Sequence, residues 1–196
     1  PHQSLEKIDD IRGVLTPVAE QKIKDVILLG MGGSSLAAEV FNSVYGRRDG
    51  YPRLSVLDTT EPAAIDGITR KIDWDKTIFI VASKSGTTLE VTSLFHFFFN
   101  EVRKQKDTAG QQFIFITDEG SALAETARAL SPFHIFFNNP NIGGRYSALS
   151  FFGIVPAAII GADIEKLLRN AQAAADTAGE IGVMLGAALG ALALHG

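Results

Sequence analysis

The 196-residue chain contains no cysteine, which excludes disulfides, thiolate nucleophiles and cysteine-held metals at once. Positive charge is also scarce. Eighteen lysines and arginines stand against 22 aspartates and glutamates, for a formal net charge of -4. No basic stripe runs along any segment, so a nucleic-acid partner is not expected. No pair of histidines or carboxylates stands at metal-ligand spacing, so no metal is expected either. Residues 1–10 are polar and charged and lack the apolar centre of a signal peptide. The longest uncharged runs, 148–162 and 181–194, fall short of the roughly 20 residues that span a bilayer. No membrane partner is expected on that count, and the chain reads as cytoplasmic. Gly182, Gly186 and Gly190 recur at helical spacing, which reads here as small residues that let two helices pack closely.

What is present is ordinary for a folded domain: 46% hydrophobic and 20% charged residues, in a length that suits one substantial core. The chain begins without methionine and stops inside an alanine-rich helical pattern. The expectation is a single domain over 1–196 that is a piece of a longer protein. Apolar runs rich in β-branched and aromatic residues recur at 26–29, 54–57, 77–82, 113–117 and 134–136. Helix-length patterns lie between them at 35–45, 62–72, 89–104 and 121–130, with further helices at 149–160 and 164–176. Nearly continuous apolar strands alternating with helices predict a parallel sheet covered on both faces. The fold class is therefore α/β: a three-layer, doubly wound domain with a five-stranded parallel sheet and C-terminal helices. The phenylalanines Phe95, Phe97, Phe98 and Phe99 predict a helix packed on that sheet, with some face at an interface. His134, inside an apolar strand, is expected to be a satisfied core residue.

In such folds ligands bind beyond the carboxyl ends of the strands, where loops meet helix N-termini. Three motifs fall at such positions. Gly30-Met31-Gly32-Gly33-Ser34-Ser35 follows the first strand; its glycines allow a tight turn, and Ser34 and Ser35 can cap the helix or donate to an anion. A dinucleotide fingerprint would need glycine at position 35, although Asp58 after the second strand imitates the acid that holds a ribose hydroxyl. Nicotinamide binding stays open as a lesser reading, and a Walker loop is excluded because no Gly-Lys-Ser/Thr triplet follows. Ser83-Lys84-Ser85-Gly86-Thr87-Thr88 offers four hydroxyls, an ammonium and several backbone N–H groups at a helix start, enough to wrap a phosphate dianion. Asn141-Ile142-Gly143-Gly144-Arg145-Tyr146-Ser147 places a permanently charged, planar five-donor cation beside a glycine pair. Asp118 and Glu119, after the fourth strand, could approach a ligand but read first as turn or cap residues.

These three segments, in this order, resemble the phosphoglucose isomerase family, whose members carry a sugar-isomerase (SIS) domain of flavodoxin-like architecture. The resemblance runs from about residue 25 to the C-terminus. Around Leu185-Gly186-Ala187-Ala188-Leu189-Gly190 the chain is most similar to bacterial isomerases fused to a transaldolase. Membership implies isomerisation of glucose 6-phosphate to fructose 6-phosphate through an enediolate, without cofactor, in a homo-oligomer, a dimer. It implies that Ser83, Ser85 and Thr88 grip the sugar's phosphate with Lys84 nearby, alongside Gly33 and Ser34. Arg145 then stabilises the enediolate in a site lined by Gly144. The family's proton-transfer glutamate lies in a Glu-Ser-x-Gly-Lys type segment, and a downstream histidine and lysine assist ring opening. None of these segments occurs in residues 1–196, and Glu90 and Glu180 do not match that context. The expected role of this chain is thus phosphate grip and enediolate cation, without the base. A non-catalytic sugar-phosphate-binding or regulatory module on the same fold is the rival from another class.

Overall fold

A computed structural model describes residues 2–195. The chain opens with two helices, α1 (His2–Glu6) and α2 (Ile8–Glu20), and then alternates: β1 (Asp25–Gly30), α3 (Leu36–Tyr45), β2 (Arg53–Leu57), α4 (Pro62–Thr69), β3 (Thr77–Ala82), α5 (Leu89–Arg103), β4 (Phe113–Asp118), α6 (Ala122–Ala129) and β5 (His134–Asn138). Two C-terminal helices follow, α7 (Phe151–Ile159) and α8 (Ile164–His195). The five strands form one sheet in the order β2-β1-β3-β4-β5, with every pairing parallel. This is the doubly wound α/β fold that the strand and helix pattern predicts.

Strand residues alternate between two cores. Val26, Leu28, Ile78, Ile80, Ile114 and Ile116 face one cluster with α2 and α7. Ile27, Leu29, Phe79, Val81, Phe113 and Phe115 face the other with α5 and α6. β1 and β3 are buried at every position, which is why their sequences are apolar throughout rather than alternating. In α5 the buried positions Val91, Leu94, Phe95, Phe98 and Val102 make one stripe at helical spacing. Phe97 points away and is exposed. α7 is buried all round. At Gly153 an added Cβ would lie 2.0 Å from the Ala148 carbonyl oxygen and 3.1 Å from Ala37 Cβ. Glycine there lets α7 seat against α3.

Four differences from the sequence expectation have physical causes. α2 lies outside that expectation, although Ile8, Ile11, Val14 and Val18 stand at helical spacing and are buried. α4 stops at Thr69 instead of continuing to 72; beyond it Ile72 and Trp74 turn inward against the α5 side of the sheet. His134 is no core residue: β5 is an edge strand, and the imidazole Nε2 meets Asp10 of α2 at 3.1 Å on a partly exposed flank. The helix expected over 164–176 continues to His195 as one element. By length and composition its span Ile164–Leu194 is apolar enough to cross a membrane, because the uncharged run 181–194 extends an alanine-rich segment without a break. The expectation that no segment reaches membrane length is corrected to that extent. Ile181, Leu185, Leu189 and Leu192 lie exposed along one face of it.

Candidate functional site

Register sets where the motifs meet. Gly30 of β1 pairs with Ala82 of β3, and Asp118 of β4 pairs with Asn138 of β5. The segments after these residues therefore leave the same carboxyl edge of the sheet side by side.

The first segment tightens at Gly32, whose φ of +56° suits glycine, into a short 3-10 turn over Gly32–Ser34. Ser35 is buried, and its hydroxyl donates back to the Gly32 carbonyl at 3.2 Å. Of the two roles open to it, its side chain does not cap α3. Ser34 is half-buried.

The second segment is wired to itself. Ser83 is buried; its hydroxyl accepts from the Gly86 N–H at 3.1 Å and lies 3.3 Å from the Thr88 hydroxyl. Ser85 accepts from the Thr87 N–H at 3.3 Å and the Thr87 hydroxyl at 3.1 Å. Gly86 has φ +70°, and a Cβ there would stand 2.7 Å from the Leu123 nitrogen. The loop consequently lies flat on the start of α6, and only glycine fits that position. Thr88 starts α5 without a side-chain cap bond. The Lys84 ammonium pairs with Asp118 and donates to the Pro140 carbonyl at 2.9 Å. Asp118, read from sequence as a turn residue, is thus the anchor of the lysine. Glu119 meets Arg128 at 3.8 Å.

The third segment forms a 3-10 turn over Gly144–Leu149. It touches the first segment backbone to backbone: a Cβ on Gly33 would lie 2.3 Å from the Gly144 carbonyl oxygen. Ser147 is buried and donates to the carbonyls of Gly33 (3.0 Å) and Gly144 (2.7 Å). Arg145 and Tyr146 project outward from this turn. Among the described residues no carboxylate, carbonyl or hydroxyl pairs with the Arg145 guanidinium.

A cleft of about 740 Å³ opens between the first and third segments, with Gly33, Gly144 and Arg145 on its wall and the exposed Leu36 and Val40 of α3 along its side. The segment 83–88 does not line that cleft. It joins the third segment through Lys84 and Pro140 and stands beside the first by strand register. The structure thus brings Gly33, Gly144 and Arg145 together, puts Ser83, Ser85 and Thr88 on the neighbouring loop, and turns Lys84 toward Asp118. Glu90 and Glu180 are both exposed, and Glu180 stands far along α8. An unpaired guanidinium on the cleft wall can take an anion from the cleft. Among the described residues no group of three or more histidines and carboxylates could hold a metal ion.

The family model for phosphoglucose isomerase matches residues 5–179. A glucose-6-phosphate isomerase of Campylobacter jejuni is 32% identical over 155 residues, covering 79% of this chain and 38% of that protein. Another, from Carboxydothermus hydrogenoformans, is 34% identical over 190 residues, covering 90% of the chain and 40% of the relative. The solved structure of a hypothetical protein from Thermus thermophilus superposes with a TM-score of 0.80 at 30% identity, covering 89% of the chain and 42% of its own. The chain spans about two fifths of the length of the curated relatives it matches.

Proposed function

Because the chain belongs to the phosphoglucose isomerase family, we propose that it forms the phosphate-binding and enediolate-stabilising part of a glucose-6-phosphate isomerase. The whole enzyme interconverts glucose 6-phosphate and fructose 6-phosphate, a step shared by glycolysis and gluconeogenesis. In this reading Ser83, Ser85 and Thr88, with Lys84 beside them, hold the phosphate, while Gly33, Ser34 and Gly144 shape the sugar's seat. A base outside residues 1–196 takes the proton from carbon 2 of the open-chain aldose. The C–H electron pair becomes a carbon 1–carbon 2 double bond, and the carbonyl oxygen takes the negative charge. Arg145 faces that oxygen. Return of the proton to carbon 1, with transfer of the carbon 2 hydroxyl proton to the carbon 1 oxygen, gives the ketose. No cofactor is required. The working form in this reading is a cytoplasmic homodimer, and the exposed stripe Leu36, Val40 and Val44 of α3 next to the cleft supports an interface there.

The observation that carries the proposal is the Arg145 guanidinium, unpaired at the mouth of the cleft. A cation that is preorganised for developing charge acts on the transition state more than on the substrate. In the full-length protein Arg145→Ala should lower turnover by about 3 kcal/mol, or roughly two orders of magnitude, with little change in KM. Ser83→Ala should do the reverse, raising KM with turnover nearly intact, because a phosphate donor acts on ground and transition states alike. Near-normal turnover in Arg145→Ala would refute the role. The isolated chain, kept with glucose 6-phosphate in deuterated water, should put no deuterium on carbon 2. Exchange above a blank would locate a base within these residues and overturn the division of labour.

A further inference from the structure

Arg145 has no partner of its own, so its placement is inherited from the backbone beneath it. Beside the turn's own backbone bonds, one buried hydroxyl ties that backbone across to the first segment. Ser147 has a single proton to donate, shared between the Gly144 carbonyl at 2.7 Å, within its own turn, and the Gly33 carbonyl at 3.0 Å, across the cleft floor. Its own carbonyl in turn accepts from the Ser150 hydroxyl at 2.7 Å, and Ser150 caps α7. Since α7 is buried along its whole length, the chain of hydroxyls ties the arginine turn to a helix of the core. The close approach of Gly33 to Gly144 leaves no room for any side chain between the two loops. The hydroxyl is therefore the fastener at that seam.

We propose that Ser147 is a positioning residue: it sets the height and bearing of Arg145 over the cleft and acts on the reaction only through that arginine. The inference rests on the reading of Arg145 as the enediolate cation. Loss of the hydroxyl frees the turn to drift by about an ångström, enough to reduce turnover by roughly tenfold or more. The phosphate donors sit on another loop, so the hold on the phosphate is spared.

The test is a kinetic cycle on the full-length protein with Ser147→Ala, Arg145→Ala and the double variant, alongside inhibition by inorganic phosphate. Ser147→Ala should lower kcat about tenfold, leave KM and phosphate inhibition within about twofold, and add less than about twofold to the loss already seen in Arg145→Ala. Ser147→Thr, which keeps the donor, should recover most of the turnover. An equal drop in both backgrounds would make Ser147 a general structural residue and overturn the proposal. So would a rise in KM and in the phosphate inhibition constant together with the drop. Should Ser147→Ala fail to fold, Ser147→Cys, similar in size and a weaker donor, is read by the same cycle. Normal turnover in Arg145→Ala alone would instead strike the reading of the arginine, a different and recognisable result.

Discussion

Two loops leave the same edge of the sheet with opposite treatment of their cations. In the segment 83–88 the hydroxyls engage one another or the loop's own N–H groups, and Lys84 is spent on Asp118 and Pro140. In the turn Gly144–Leu149 the structural bonds are made by Ser147 and by backbone, and Arg145 is left unpaired. The difference shows how a protein keeps a charge available. A guanidinium already paired with a carboxylate would have to give up that bond before meeting a ligand, whereas an unpaired one forfeits only water. The lysine is half-buried beside Asp118. In the proposed function the arginine supplies the charge.

Closing the seam between the first and third segments should break this comparison most severely. Gly33→Val puts a branched side chain where even a Cβ lies 2.3 Å from a backbone carbonyl, which cannot rotate away as a side-chain tip could. We expect a stability loss of about 2 kcal/mol, roughly 4–8 °C in Tm for a domain of this size. Turnover should fall at least as far as in Arg145→Ala, since the arginine turn is lifted bodily. Calorimetry and steady-state kinetics on the same preparation check both. A Gly33→Val protein with unchanged Tm and turnover would mean that the two loops are not in register with each other.

The tie between the loops should give a smaller effect. Asp118→Asn removes the carboxylate from Lys84 but leaves the bond to Pro140, and both side chains are only partly exposed. A cost of about 1–2 kcal/mol is expected for losing a charge-assisted bond in such a setting. Because the freed ammonium becomes available to phosphate while the loops loosen, affinity and turnover should both move. Loss confined to turnover would show that Lys84 serves the arginine turn alone; loss confined to KM would place it with the phosphate donors.

Much of this architecture is legible in the residues. β3 matches the sequence reading at both ends and the other four strands differ by one or two residues, because β-branched and aromatic runs buried on both faces leave a strong signal. The three motif loops can be placed for the same reason: each begins where an apolar run stops. What cannot be read is the wiring. Ser147 and Asp118 look like any serine and any aspartate, and their roles arise from a carbonyl and an ammonium far away in sequence, at Gly33 and Lys84. The paired role of His134 likewise depends on Asp10 arriving from a helix at the other end of the chain. The long extent of α8 escapes the sequence reading for another reason. Gly179, Gly182, Gly186 and Gly190 lower helix propensity, yet alanine and leucine between them carry the helix through.

A control away from both loops should show the smallest change and sharpen the contrast. Glu165, in the first turn of α8, meets Arg169 one turn on and Arg12 of α2, each at 2.8 Å. The Arg169 hydrogen bond first, and the Arg12 bond next, hold its carboxyl below the usual glutamate value. A carboxyl whose folded pKa is depressed stabilises the fold above its unfolded pKa of about 4.3 and loses that contribution as pH falls through the lower folded value. Both partners are largely solvent-exposed, so the effect is screened and small. Glu165→Gln should therefore lower Tm slightly at neutral pH and converge with the parent protein in strong acid, with kcat and KM untouched throughout. Melting curves between pH 7 and pH 2 decide it. A gap that stayed constant down to the lowest pH would show that the side chain acts by packing between α2 and α8 rather than by charge.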